Sequence, residues 1–162
     1  MCDSVMSASH NAGRYMPVMQ RLLPKTISGI VDDMKQRYGV RIRRWRSNMS
    51  GCAWSTTYTS GMRINWIESP YPRTPISLAI FLHEVGHHAI GFNKYKRRCE
   101  EEYHVWMWAL EMMRSLGVEP DEAVERRFDL SVRYAVDKAV RRGMVDVPAV
   151  LNAYVAQPAI AA

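Results

Sequence analysis

Sequence signals for disulfides, a membrane span or a signal peptide are the first things missing here. Its three cysteines, Cys2, Cys52 and Cys99, are odd in number and form no CxxC pair. That argues for free thiols in a reducing compartment rather than a disulfide framework. No apolar run approaches the roughly 18 residues that span a membrane. The opening stretch, "MCDSVMSASHNAGRYM", has no apolar segment of the signal-peptide kind. Internal repeats and low-complexity linkers are absent too. Acids are the scarcer charge: 16 Asp and Glu face 22 Lys and Arg, a formal net charge of +6. The expectation is a cytoplasmic protein with no membrane partner, basic enough to tolerate nucleic acid or an acidic partner nearby.

With 162 residues, 48% of them hydrophobic, the chain can bury a real core in one globular domain. Residues 1–15, rich in Ser, Asn and Gly, are expected to be a flexible N-terminus and residues 16–162 a single domain. From Thr26 to Tyr38, the residues Ile27, Ile30, Val31 and Met34 recur at helical spacing, and Gly39 stops the run. "VRIRRWRSNMSGCAWSTTYTSGMRINWIES" then mixes β-branched and aromatic residues with turn signals, predicting a small antiparallel sheet. Thr74 and Pro75 are a fitting N-cap and first residue for a helix over about 75–90. Further helices are predicted over about 98–116, 120–142 and 147–157. The order is an N-terminal helix, a small sheet, then gathered helices, which is an α+β fold.

One stretch has no ordinary place in a core helix. In "LAIFLHEVGHHAIG", residues 78–91, titratable groups interrupt an apolar segment. His83 and His87 stand four residues apart, hence on one helix face, where both imidazoles can reach a single Zn²⁺. Glu84 lies about 100° round the helix, beside such an ion but poorly placed to bind it. It can take a proton from the attacking water, the general-base role of the HExxH pattern. The competing reading is a half-buried helix whose histidines bond to backbone or water. Gly86 argues against that, since a mid-helix Gly costs about 1 kcal/mol relative to Ala and is easier to understand if a close neighbour needs the room. His88 cannot share the direction of His87 and reads as a supporting or surface residue.

A catalytic zinc usually takes three protein ligands, and the third must come from elsewhere, because the metzincin continuation HxxGxxH would place Asn93 at its last position. The nearest carboxylates lie in "RRCEEEYHVWMWALEMM", on a helix that a hairpin would bring back past the histidines. Glu102 shares its stripe with Val105, Trp106, Ala109 and Met113 and is the preferred ligand. Glu101 and His104 are the alternatives, with Cys99 a remote one.

"RINWIESPYPRTPISLAIFLHEVGHHAIG" followed by "EEEYHVWMWALEMM" resembles the ImmA/IrrE-type zinc metallopeptidases. In that family the HExxH helix is followed by a helix of the pattern E-x-x-A-x-x-F-A. Glu102, Val105, Trp108 and Ala109 fall on it, with Val105 where a smaller residue is usual and with a short connection between the helices. The resemblance covers roughly residues 26–116. It implies a minimal gluzincin, zincin-like fold, one Zn²⁺ per chain, and an intracellular endopeptidase of the kind found in phages, mobile elements and stress pathways. The implied substrate is a protein, typically a DNA-binding repressor. SprT-like proteases, which use a third His, would make His104 the ligand. A non-catalytic adaptor or antagonist on the same scaffold is the alternative of a different class.

Other features have milder readings. "RIRRWR" combines Arg43, Arg44 and Arg46 with a Trp and could contact substrate or nucleic acid. It equally suits an edge strand whose arginines face solvent. With "NKYKRR", residues 93–98, it could form a basic rim around a cleft. "MRINWI" is the expected edge for an extended substrate to pair with. Tyr71, Tyr103 and His104 are the candidates for polarising a carbonyl.

Overall fold

A computed structural model describes residues 24–155. The expected flexible segment, residues 1–15, lies outside them. Helix α1 (Pro24–Tyr38) leads into β1 (Val40–Arg46), β2 (Cys52–Thr57) and β3 (Arg63–Pro70). Helices α2 (Pro75–Ile90), α3 (Arg98–Ser115) and α4 (Glu122–Arg141) follow, then a 3₁₀ segment, Ala149–Tyr154. The α+β class and the bounds of α1 to α4 agree with the sequence pattern to within about two residues, whereas the helix expected over about 147–157 is a 3₁₀ segment, Ala149–Tyr154. No helix among the described residues is long and apolar enough to cross a membrane.

The sheet differs from expectation. It is mixed, in the order β1-β3-β2, with β3 antiparallel to β2 but parallel to β1. Alternation along a strand marks its faces, not its direction, so the pattern could not separate the two arrangements. β2 and β3 form a hairpin closed by Tyr58 N–H donating to Met62 O at 2.9 Å. Residues 47–51 instead cross the end of β3, because Arg46 pairs with Pro70 and Cys52 with Glu68. β3 is therefore central. "MRINWI" has both edges paired and cannot take a substrate strand; β2 holds an outer edge.

The arginines of β1 are also accounted for. The register slips between Ile42 and Arg44, a bulge that leaves Arg43 without a cross-strand partner. Glu68, 8% exposed on β3, accepts from Arg44 Nη2 at 3.2 Å and Arg46 Nε at 3.1 Å, and Arg43 Nε lies 3.9 Å away. Burial alone would raise the Glu68 carboxyl, but Arg46 and Arg44 outweigh it and hold it below its ordinary range.

Helix α2 fills the middle of the molecule, between β3 and α3. Thr74 caps it in a reciprocal box: Ser77 N–H donates to Thr74 Oγ1 at 3.3 Å and Thr74 N–H to Ser77 Oγ at 2.9 Å. Leu78, Phe81, Leu82 and Val85 are fully buried, each stabilising the fold by about 1.5–3 kcal/mol. Every residue from Ser77 to His87 is buried. The titratable groups of the motif thus sit inside the core, not on its surface.

Candidate metal centre

The site forms where α3 returns alongside α2. His83 (7% exposed), Glu84 (6%) and His87 (4%) come from α2. From α3, Glu102 reaches His83 Nε2 with its Oε2 at 3.2 Å and His87 Nε2 at 3.7 Å. Donor atoms of His83, His87 and Glu102 all lie within 4.8 Å of one another, a group that could hold a metal ion. Two donors held about 2.0–2.1 Å from one ion at the tetrahedral angle stand roughly 3.3 Å apart. The separations from the Glu102 oxygen bracket that value, so the residues fit a zinc-sized cation. Burial, and then the neighbouring His83, push His87 down to about 3, so its ring is neutral at pH 7 as a ligand must be. Burial alone would raise Glu102, but its hydrogen bond with His83 prevails and holds it down to about 2.

Two glycines make the approach possible. A Cβ at Gly86 would lie 2.9 Å from Trp108 Cε3 and 3.1 Å from Val105 Cγ1. The neighbour that needs the room is α3 itself. A Cβ at Gly51, in the loop before β2, would come within 2.6 Å of Glu84 Cγ and closer still to its Oε1. Backbone therefore packs directly on the Glu84 carboxyl. Burial, and the Glu102 charge behind it, raise Glu84 to about 7, the range in which a group both takes and returns a proton at neutral pH.

Around this centre the other candidates separate. Glu101 is almost fully buried, at 1%, yet it sits behind the histidines. Its Oε2 accepts from the Asn93 N–H at 2.7 Å, and its Oε1 faces His87 Nδ1 at 3.7 Å. Arg98 pairs with Glu101 Oε1 through Nη1 and with Glu102 Oε1 through Nη2 at 2.9 Å. One guanidinium thus holds both carboxylates and leaves Glu102 Oε2 turned to the rings. His104 stacks on Tyr95 at 4.3 Å between centroids and is not part of the triad. His88 Nε2 donates to the Trp66 carbonyl at 3.0 Å, tying α2 to β3. Cys99 lies against Met144 Sδ at 3.8 Å.

The triad opens into a cavity of about 900 Å³. Ser50, Gly51, Cys52 and Ala53 line one side, and a face of α4 lines the other. Tyr71, Tyr103, His104, Arg43, Arg44 and Arg46 are not among the lining residues; Tyr134, on α4, is. Of the basic stretch 93–98, Lys96, Arg97 and Arg98 line the cavity; sequence reasoning missed the hold of Arg98 on the two glutamates, Gly51 and the α4 face. Arg98 stands at i−3 and i−4 from the two glutamates, a spacing that signals a helical ion pair; the other two carry no local signal. No protein-family model, curated protein or solved structure matches the chain.

Proposed function

We propose that the chain is a zinc-dependent endopeptidase of the minimal gluzincin type, related to the ImmA/IrrE metallopeptidases. The observation behind this reading is the convergence of His83 Nε2, His87 Nε2 and Glu102 Oε2 beside a buried Glu84, at the wall of an open cavity. His83, His87 and Glu102 would hold the ion, with Arg98 fixing Glu102 and Glu101 facing the far side of His87. When bound, zinc lowers the pKa of water toward neutrality and polarises a carbonyl. Glu84 accepts the proton of the attacking water and delivers it to the departing amine. An extended substrate pairs with the outer edge of β2, next to Gly51, which brings its backbone alongside Glu84. The substrate class is a protein, with a DNA-binding repressor as the resemblance implies, and the compartment is the cytoplasm.

Glu84 separates this reading from a non-catalytic adaptor, since a closed structural site has no use for a proton acceptor beside it. The SprT-like alternative needs His104 at the ion, and its stacking on Tyr95 disfavours that. The test is Glu84→Gln. Purified variant should retain about one zinc per chain and lose cleavage of a substrate that the wild type cuts; unchanged cleavage refutes the role of Glu84.

A further inference from the structure

The charge of the cavity wall says what kind of chain enters it. Two carboxylates line the cavity, Glu84 and Glu102, and both belong to the metal centre. Against them stand six cations: Lys96, Arg97, Arg98, Arg127, Lys138 and Arg142. Arg98 is committed to Glu101 and Glu102. Lys96, Arg97, Lys138 and Arg142 make no ion pair among the described residues. Arg127 reaches across to the Met49 carbonyl, with its Nε buried and without a partner.

Helix α4 sorts its charges accordingly. Arg127, Leu130, Tyr134, Lys138 and Arg142 all line the cavity at helical spacing, a stripe about 22 Å long. No acid of α4 lines the cavity; Glu122, Glu125 and Asp129 project from other sides of the helix, and Asp137, seven residues from Leu130, flanks the edge of the stripe. Leu130 and Tyr134 stay 54% and 62% exposed in the middle of the stripe. That is apolar surface at the centre of a cationic strip, lining the same cavity as Cys52 and Ala53 of β2, an edge strand among the described residues.

We propose that this cleft selects an acidic polypeptide segment, about seven residues in extended form at about 3.3 Å each. Its Asp and Glu side chains meet Lys96, Arg97, Lys138 and Arg142, and an apolar residue between them covers Leu130 and Tyr134. A polypeptide fits better than a nucleic-acid strand. The opposite wall carries the edge-strand residues Cys52 and Ala53, and Trp106 is packed on His83 at 4.5 Å, which leaves Tyr134 as a single exposed ring where a nucleic-acid strand stacks successive bases on several. What happens to the bound segment rests on the peptidase reading; its docking does not.

The test is fluorescence anisotropy on full-length Glu84→Gln protein with zinc present, so that bound peptide stays intact. The probes are fluorescein-labelled peptide pools of Leu, Ala, Tyr and Gly, interspersed with either Glu or Gln, and an oligothymidylate of matched charge. Exposed pairs of this kind sum to a Glu-pool advantage of about tenfold in Kd. Raising the salt to about 1 M, where screening acts within about 3 Å, removes the advantage. Lys96→Glu with Lys138→Glu removes it while sparing the Gln pool, and Lys96→Gln with Lys138→Gln reduces it by less. Equal affinity for the two pools, no binding of either, or tighter binding of the oligothymidylate overturns the proposal. Binding of the Glu pool that zinc-loaded wild type then leaves uncut supports the docking surface and overturns the peptidase reading instead.

Discussion

Gly86→Ala tests the packing that assembles the metal centre. The added methyl would stand 2.9 Å from Trp108 Cε3, 3.1 Å from Val105 Cγ1 and 3.4 Å from the Val105 carbonyl oxygen, where carbon atoms prefer about 3.5–4.0 Å. Trp108 has little freedom to yield, being packed edge-on against Tyr38 at 5.3 Å, and the Val105 carbonyl is backbone. Helix α3 must therefore retreat by roughly half an ångström. Two effects oppose each other. Ala favours the helix by about 1 kcal/mol over Gly, and overpacking costs about 1–3 kcal/mol. The sum is a loss of up to about 2 kcal/mol, or a Tm lower by up to about 8 °C for a chain of this length. The second consequence is sharper. Glu102 rides on α3, and metal–ligand distances tolerate only about 0.2 Å, so zinc should bind roughly 10–100-fold more weakly. Thermal melts followed by circular dichroism, in chelator and with zinc, read both quantities, since zinc raises Tm according to its affinity. A variant that melts higher than wild type in chelator and keeps its zinc affinity would refute the close approach and the triad built on it.

Two further predictions concern separate parts of the molecule. Glu102→Ala should lower zinc affinity by more than about a hundredfold, beyond the usual loss from a supporting residue, whereas His104→Ala should leave it unchanged; competition with a chromogenic chelator measures both. Glu68 is held below its ordinary carboxylate range, so its contribution to stability is present above about pH 4.3 and fades as the pH falls through its lower folded value. Glu68→Gln should therefore lower Tm at neutral pH and flatten the acid side of the Tm–pH curve, and an acid limb as steep as that of wild type counts against the arginine cluster.

How far the sequence could be read depends on how local each feature is. The i,i+4 spacing of His83 and His87 fixes their common face whatever packs against it, and Thr74-Pro75 marks where their helix begins. The direction of β1 is settled by the loop over the end of β3, which leaves no mark in the strand's own alternation. Glu102 is the instructive case. Its apolar stripe predicts that it points inward, yet Glu101 is the buried one, at 1% exposure, and Glu102 is half-buried at the cavity wall. The two lie about 100° apart on α3, and a helical wheel cannot say where α2 will meet it. The apolar stripe and the resemblance to the E-x-x-A-x-x-F-A pattern both point to Glu102, although the stripe's reason, burial, holds better for Glu101 in the fold.

The protonation arithmetic of the α2–α3 seam favours a cation over a plain hydrogen-bonded cluster. A proton between His83 Nε2 and Glu102 Oε2, 3.2 Å apart, would satisfy one pair. His87 Nε2, at 3.7 Å from the same oxygen, is then beyond hydrogen-bond reach, and the buried Nδ1 atoms of both rings have no partner. Each buried Nδ1 atom costs about 1–3 kcal/mol, so the two together are a sizeable share of the roughly 5–15 kcal/mol that holds a domain together. His83 and His87 would both find a partner for Nε2 if the three donors held a divalent ion, and each ring would then carry its proton on Nδ1. His87 Nδ1–H then faces Glu101 Oε1, which Arg98 already holds in place and which a shift of under an ångström would bring into hydrogen-bond range. Only the His83 Nδ1 remains. Arg98 and Glu101 acquire a purpose on this account that a metal-free cluster does not give them.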